Sequence, residues 1–350
     1  MRLGQVAQFD LPKNHAICVA TLLIFGYVGV TLAENEMFSW QMEYKGVVLK
    51  DNCLEYGKDP KRNLCGDYLL REKYLAEWQP EWLYNDFRHG IVLSLLVLSR
   101  ELFGEPRVLA FVSSVMFLVL TLFLGKTISN RRFVGLVAMG FVLLSSIFNK
   151  YDTGITYPTF WGTFYLASIY AMFKVPRIAF LGYLFALCFK NIALLYLPAS
   201  IVFAKFSSVK HKKIIYLTHF AVLAGGLGYL MYDAQVLEGV STQIQFNLED
   251  FIWWLGMWAV EFNDDKVTLF VMFFVVGGLW ILKRQNVANS FAVLMMIVVI
   301  LLQPSFIAGF TLYTNEDYRF LVLVAFVGIG IGMIISNLDK LAFGIQRPSS

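Results

Sequence analysis

The tripeptide Glu34-Asn35-Glu36 follows directly on the first membrane-length apolar run, Ala16–Ala33. Carboxylates held at a bilayer surface can take a proton from a hydroxyl or bind a divalent cation. Four further polar clusters, Arg88-His89, Lys150-Tyr151-Asp152, Lys190-Asn191 and Asn315-Glu316-Asp317-Tyr318-Arg319, each lie within a few residues of the end of an apolar run. Lys190 divides a nearly continuous apolar stretch from Ile178 to Ala204. A lysine there is costly unless paired, and a phosphate is a natural partner. Arg319 stands just before the last run, and a guanidinium suits bidentate contacts to phosphate oxygens. Carboxylates for proton or metal chemistry, with cations for a phosphate, suit a reaction on a lipid-carried substrate.

Each residue also has a plainer reading. Glu34 and Glu36 can simply end the first run, since charge at a span end reaches water. Asp152 can cap a helix starting at Pro158 or be solvated. Asp264-Asp265 opens another apolar run and reads as an N-cap. His219, alone in its run, reads as a packed core histidine.

The elements that must position these groups are helices in a membrane. The chain of 350 residues is 58% hydrophobic and 16% aromatic, with a mean hydropathy of +0.61. Soluble domains are less apolar. The expected fold is an all-α polytopic membrane protein, a single transmembrane domain over residues 1–350. About ten spans are predicted: Ala16–Ala33, Val108–Gly125, Phe133–Phe148, Pro158–Phe173, Ile178–Phe189, Ile192–Ala204, Ile214–Tyr232, Val267–Leu282, Val287–Leu302 and Phe320–Ser336. Residues 34–107 form an extracytoplasmic loop with interfacial helices, and residues 233–266 form a second such loop.

Charge sets the orientation. With both termini in the cytoplasm, fifteen of the 29 Lys and Arg fall on cytoplasmic segments, against Asp10 and Asp339 alone among the acids. The positive-inside rule is then met at every turn. If Ile91–Phe103 crossed, Lys126, Arg131 and Arg132 would move outside, so it reads as a half-inserted or interfacial helix. Phe251–Phe262, short and tryptophan-rich, reads likewise. The first run is also compatible with a cleaved signal peptide ending at Ala33. Gly328-Ile-Gly-Ile-Gly332 reads as a close helix contact. Cys18 and Cys188 read as buried small hydrophobes. Cys53 and Cys65 share the first loop and either pair or remain free thiols. No zinc spacing and no basic nucleic-acid patch is present, so nucleic acid is not an expected partner.

The stretch HGIVLSLLVLSRELFGEPRVLAFVSSVMFLVLTLFLGKTISNRR, from His89, resembles the GT-C membrane glycosyltransferases, which include protein O-mannosyltransferases and bacterial aminoarabinose transferases. Members carry an acidic pair after the first helix, a short helix ending in Leu-Phe-Gly-Glu, and a long span closing in Gly-Arg-Arg-like residues. NKYDTGITY resembles their second acidic segment, GYLFALCFKN a later lysine-containing pattern, and YRFLVL the start of a late span. Asn35 stands where the family often has an aspartate, and Gly90 replaces a proline.

The resemblance implies a polyprenyl-phosphate-linked sugar donor, approached from the extracytoplasmic leaflet of a plasma or inner membrane. The acceptor would be a glycan, lipid or protein. Glu36, Glu34 and Asp152 would be catalytic, one of the two glutamates as general base. Arg88, His89, Lys190, Tyr318 and Arg319 would bind substrate and its phosphate. Some relatives hold a divalent metal, Mg or Mn, and Glu36 with Asp152 would be its ligands. Alternatives are a lipid-linked glycan polymerase, a transporter or flippase, and a non-catalytic scaffold.

Overall fold

The structure is a computed structural model. It describes residues 10–33, 43–44, 47–48, 79, 87–153, 159–236, 247–256, 265–308 and 317–345. Apart from a two-residue antiparallel pairing of Glu43–Tyr44 with Val47–Val48, the described regular structure is helical. The elements are α1 (Lys13–Ala33), α2 (Phe87–Phe103), α3 (Val108–Ser129), α4 (Arg132–Leu144), α5 (Ser146–Tyr151), α6 (Phe160–Lys174) and α7 (Ala179–Phe189). Then follow α8 (Leu197–Phe206), α9 (Lys212–Val236), α10 (Leu248–Gly256), α11 (Lys266–Arg284), α12 (Ser290–Ala308), α13 (Leu321–Ile335) and α14 (Leu338–Ile345). Two 3₁₀ turns, Asn191–Tyr196 and Asp317–Phe320, lead into α8 and α13.

Three helical stretches, Lys13–Leu32, Val108–Ser129 and Lys266–Arg284, are long and apolar enough to cross a membrane. Arg132–Leu144, Ala179–Phe189, Leu197–Phe206, Ser290–Gln303 and Leu321–Ile335 are shorter apolar helices.

The centre is α13. Every residue from Leu321 to Gly330 is buried, as expected of a helix apolar on all sides. It packs against α3, α4, α11 and α12. Its glycines permit this. A Cβ on Gly328 would lie 2.9 Å from Ala138 Cα, and one on Gly332 would lie 2.9 Å from Val134 Cα. A Cβ on Gly330 would strike the side chain of Val275. The glycine run is a helix contact, as its spacing predicts. α3 and α4 meet as closely, since a Cβ on Gly125 would come within 2.9 Å of Gly135 Cα.

Side-chain bonds define two ends. At the first, Arg132 reaches Asp10 at 3.5 Å and the Leu11 carbonyl at 3.0 Å. The Arg131 guanidinium donates to the Ser336 carbonyl. Asn289 donates to the Ile128 carbonyl at 2.6 Å and accepts the Ser208 N–H at 2.7 Å. The start of α1, the α3–α4, α8–α9 and α11–α12 turns, and the end of α13 therefore share one end. At the second end, Tyr27 meets Asp152, Ser145 meets Asp265, and Tyr196 meets Arg319.

Several sequence expectations are corrected. The run Phe133–Phe148 is two helices, because Ser145 is extended and its hydroxyl donates to Asp265 instead of riding within a helix. The run Ile192–Ala204 opens as a 3₁₀ turn, and α8 begins only at Leu197, with Pro198 in its first turn where no N–H is missed. Cys18 is exposed on α1 rather than buried, and Cys188 is half-buried. Asp265 does cap α11, accepting the Thr268 N–H at 3.1 Å. His219 is a packed histidine: Nδ1 lies 2.9 Å from the Ile215 carbonyl, and Tyr183 stacks on the ring at 5.2 Å. Cys53 and Cys65 lie outside the described residues.

Candidate functional site

Asp152 is the residue after α5, held between the end of that helix and the start of α6. It is 7% exposed. A carboxylate so deep needs donors. Tyr27, on α1, gives one: its hydroxyl donates to Asp152 Oδ2 at 2.7 Å. The Tyr27 ring is set by aromatic neighbours on two other helices, Phe111 at 5.6 Å and Phe148 at 5.7 Å. The Asp152 main chain is fixed from α3. Ser114 donates to the Asp152 carbonyl and lies 2.9 Å from the Thr159 hydroxyl. One helical face of α3 thus ties down both sides of the α5–α6 connection.

Burial is the largest influence on the Asp152 carboxyl and pushes its pKa up to about 6; the Tyr27 hydrogen bond pulls the other way. Near neutral pH the group is mostly ionised, yet it protonates far more readily than a solvated aspartate. Asp152 is therefore not the cap of α6. That helix starts at Phe160, with Thr159 as the flanking residue.

The cations lie at the same end. Lys190 follows α7 in an extended conformation, half-buried, and its carbonyl accepts the Ala193 N–H at 3.0 Å to open the 3₁₀ turn. That turn ends at Tyr196, whose hydroxyl donates to the carbonyl of Arg319. Arg319 is half-buried in the second 3₁₀ turn, which packs against α5. The segments bearing Lys190, Arg319 and Asp152 are joined through Tyr196 and α5. Four segments distant in sequence thus meet around the α5 end.

Other predicted residues are described less fully. Arg88 and His89 occupy the first turn of α2, and Tyr318 the second 3₁₀ turn, but their side chains lie outside the described residues. Glu34 and Glu36 lie wholly outside them; they come directly after Ala33, the last residue of α1.

Sequence reasoning missed Tyr27 and Ser114, and it singled out the α2–α3 turn only as part of a resemblance, without the side chains that build it. A tyrosine amid Gly26 and Val28 reads as ordinary core, so nothing local marks it as the partner of Asp152. The turn is the Leu-Phe-Gly-Glu stretch. Gly104 takes a φ of +78° there. Ser99 donates to the Glu105 carbonyl at 2.7 Å and accepts the Leu109 N–H at 3.1 Å. The Glu105 carboxylate accepts the Arg107 N–H at 3.3 Å. Burial raises the Glu105 pKa, so this acid shapes a turn in a partly dry setting.

A divalent ion needs several oxygen ligands. Among the described residues no group of three or more His, Cys, Asp or Glu converges, and Asp152 alone, with Oδ2 engaged by Tyr27, does not make such a site. Its expected partner Glu36 lies outside the described residues. No family model matches the chain, and no curated protein or solved structure matches it either.

Proposed function

We propose that this chain is an integral membrane glycosyltransferase that moves a sugar from a polyprenyl-phosphate carrier to an acceptor on the extracytoplasmic side. The observation that carries the reading is Asp152: a carboxylate buried at one end of an apolar helical bundle and held by a hydroxyl from the first helix. The end of that helix leads straight to Glu34 and Glu36. Half-buried Lys190 and Arg319 at the same end support a phosphate subsite.

In this reading ten helices cross the membrane. The end carrying Asp10, Arg132 and Asn289 is cytoplasmic, and the Asp152 end is extracytoplasmic. The carrier's lipid tail lies between helices, and its phosphate meets Lys190 and Arg319, with Arg88, His89 and Tyr318 as further contacts. Glu36 or Glu34 takes the proton of the acceptor hydroxyl. That oxygen attacks the anomeric carbon, and the bond to the phosphate oxygen breaks with its electron pair on polyprenyl phosphate. The configuration inverts once. Positioned base catalysis contributes roughly 10²–10⁴-fold, and the cations stabilise charge growing on the leaving phosphate. Asp152 is the second carboxylate of the site, and no step is routed through a metal.

The test is sugar transfer in proteoliposomes with Asp152→Asn, Glu34→Gln, Glu36→Gln and Lys190→Ala, following both transfer and free polyprenyl phosphate. Loss of both products in Asp152→Asn and in at least one glutamate variant is expected. Normal turnover in all four variants would overturn the site. Release of polyprenyl diphosphate instead would make the chain a glycan polymerase.

A further inference from the structure

The end of the bundle opposite Asp152 carries a second, unrelated cluster. The α8–α9 turn meets the α11–α12 turn there, and three aromatic rings line the seam. Phe206 lies edge-on to Phe291 at 4.6 Å, and Trp280 follows at 6.5 Å from Phe291. Three exposed cations sit over these rings. Lys283 Nζ is 5.2 Å from the Trp280 centroid and 5.4 Å from that of Phe291. The Arg284 guanidinium is 5.6 Å from Trp280, and Lys205 Nζ is 5.4 Å from Phe206. Lys212 closes the cluster, its ammonium donating to the Lys205 carbonyl at 2.7 Å.

Among the described residues the cluster has no acidic partner: no carboxylate forms an ion pair with Lys205, Lys283 or Arg284. Asp339, on α14 packed against the same α11, pairs with neither Lys283 nor Arg284. Stacking on a ring holds a cation in place without neutralising it. Three positive charges are therefore fixed side by side, facing outward.

An apolar track leads away from them along α11. Phe270, Phe273, Phe274 and Trp280 are exposed, and at Gly277, between them, a Cβ would meet nothing within 4 Å. The spacing 270, 273/274, 277, 280, 284 is one helical face. That face carries exposed aromatic side chains on either side of Gly277, where the missing side chain leaves a notch, and it ends at the cations.

We propose that this seam is a binding site for an anionic phospholipid. Its headgroup phosphate sits among Lys205, Lys283 and Arg284, and one acyl chain lies in the notch at Gly277. The charge sign excludes a zwitterionic lipid as the preferred occupant, and the apolar track excludes a free phosphate. The inference rests on the membrane character of the chain, not on the transferase reading. Its failure leaves that reading untouched, and the reverse holds too.

The test is native mass spectrometry of the purified full-length protein with added phosphatidylglycerol or phosphatidylcholine. Wild type is expected to retain phosphatidylglycerol and release phosphatidylcholine. The variant Lys205→Ala/Lys283→Ala/Arg284→Ala is expected to bind phosphatidylglycerol on the order of a hundredfold more weakly, from the usual contribution of a basic residue at an anionic surface. Trp280→Leu, which keeps every charge, should also weaken retention. The charge-matched variant Lys126→Ala/Lys174→Ala/Lys340→Ala should keep it. Equal retention of phosphatidylcholine, an equal loss in the charge-matched variant, or displacement of the lipid by millimolar inorganic phosphate would each overturn the site.

Discussion

Asp152 and Tyr27 are 125 positions apart, and their hydrogen bond makes two predictions. The first concerns stability. The Asp152 carboxyl has a folded pKa near 6, above its ordinary value of 3.8. Between those values the folded state keeps a proton that the unfolded chain releases. Its contribution to stability is therefore complete below about pH 4 and is lost as pH rises through about 6. Asp152→Asn cannot ionise and should flatten that stretch of the curve, as read from thermal unfolding in detergent between pH 4 and 7. The second concerns activity. An O–H donor favours the carboxylate, so Tyr27→Phe should raise the Asp152 pKa further. A hydrogen bond to a charged group contributes about 1.5 kcal/mol or more, which moves the acidic limb of the transfer rate upward by roughly one pH unit. An unmoved limb with a uniformly lower rate would make Tyr27 merely a packing residue. Asp152 was visible in the sequence because it belongs to a polar cluster, Lys150-Tyr151-Asp152, just beyond the end of an apolar run. Tyr27 was not, because a phenol in an apolar run is common, and only tertiary structure shows where its hydroxyl goes.

At the scale of elements, apolar runs predict helices well and their interruptions poorly. Each of the ten predicted runs holds a helix. The break at Ser145 was hidden because Ser145 and Ser146 leave the run's apolar character intact. What splits α4 from α5 is a bond to Asp265, 120 residues away. Close helix contacts were legible where glycines recur, as in α13, and not where they stand alone. Gly135 is such a case: a Cβ there would run into the Leu122 carbonyl oxygen of α3. Gly140, on the same helix, has nothing within 4 Å. In the open, Gly→Ala favours a helix by up to about 1 kcal/mol. Where backbone blocks the methyl, overpacking costs typically 1–3 kcal/mol. Gly135→Ala should therefore lower the midpoint of thermal unfolding in detergent, and Gly140→Ala should leave it unchanged or raise it. Equal behaviour of the two would mean that α3 and α4 do not approach as described.

For the whole molecule, charge along the chain and bonds between its turns lead to one arrangement by separate routes. The basic segments on which the positive-inside rule rests include Arg131, Arg132, Lys205, Lys210, Lys283 and Arg284. The structure gathers the turns that carry them at one end, tied by Arg132 to Asp10 and by Asn289 to Ile128 and Ser208. Charge predicts, by the positive-inside rule, which side faces the cytoplasm, but it cannot show that the turns touch. The contacts show that they share an end, but not which side of a membrane it faces. Together they predict the outcome of labelling. In a variant with the four native cysteines replaced, Glu249→Cys lies in α10, within the predicted second outer loop, and Lys210→Cys in the α8–α9 turn. A membrane-impermeant maleimide applied to intact cells should label Glu249→Cys alone, and Lys210→Cys only once the membrane is opened. α1 leaves the Asp10 end and α3 begins at the other, where Ser99 of α2 bonds to the Glu105 carbonyl and the Leu109 N–H, so the close of α2 lies at the Asp152 end. A cysteine at Glu101, at the end of α2, should therefore label from outside with Glu249→Cys. Were it to label from inside, the end that carries Asp152 would face the cytoplasm, and the proposed extracytoplasmic site would be overturned.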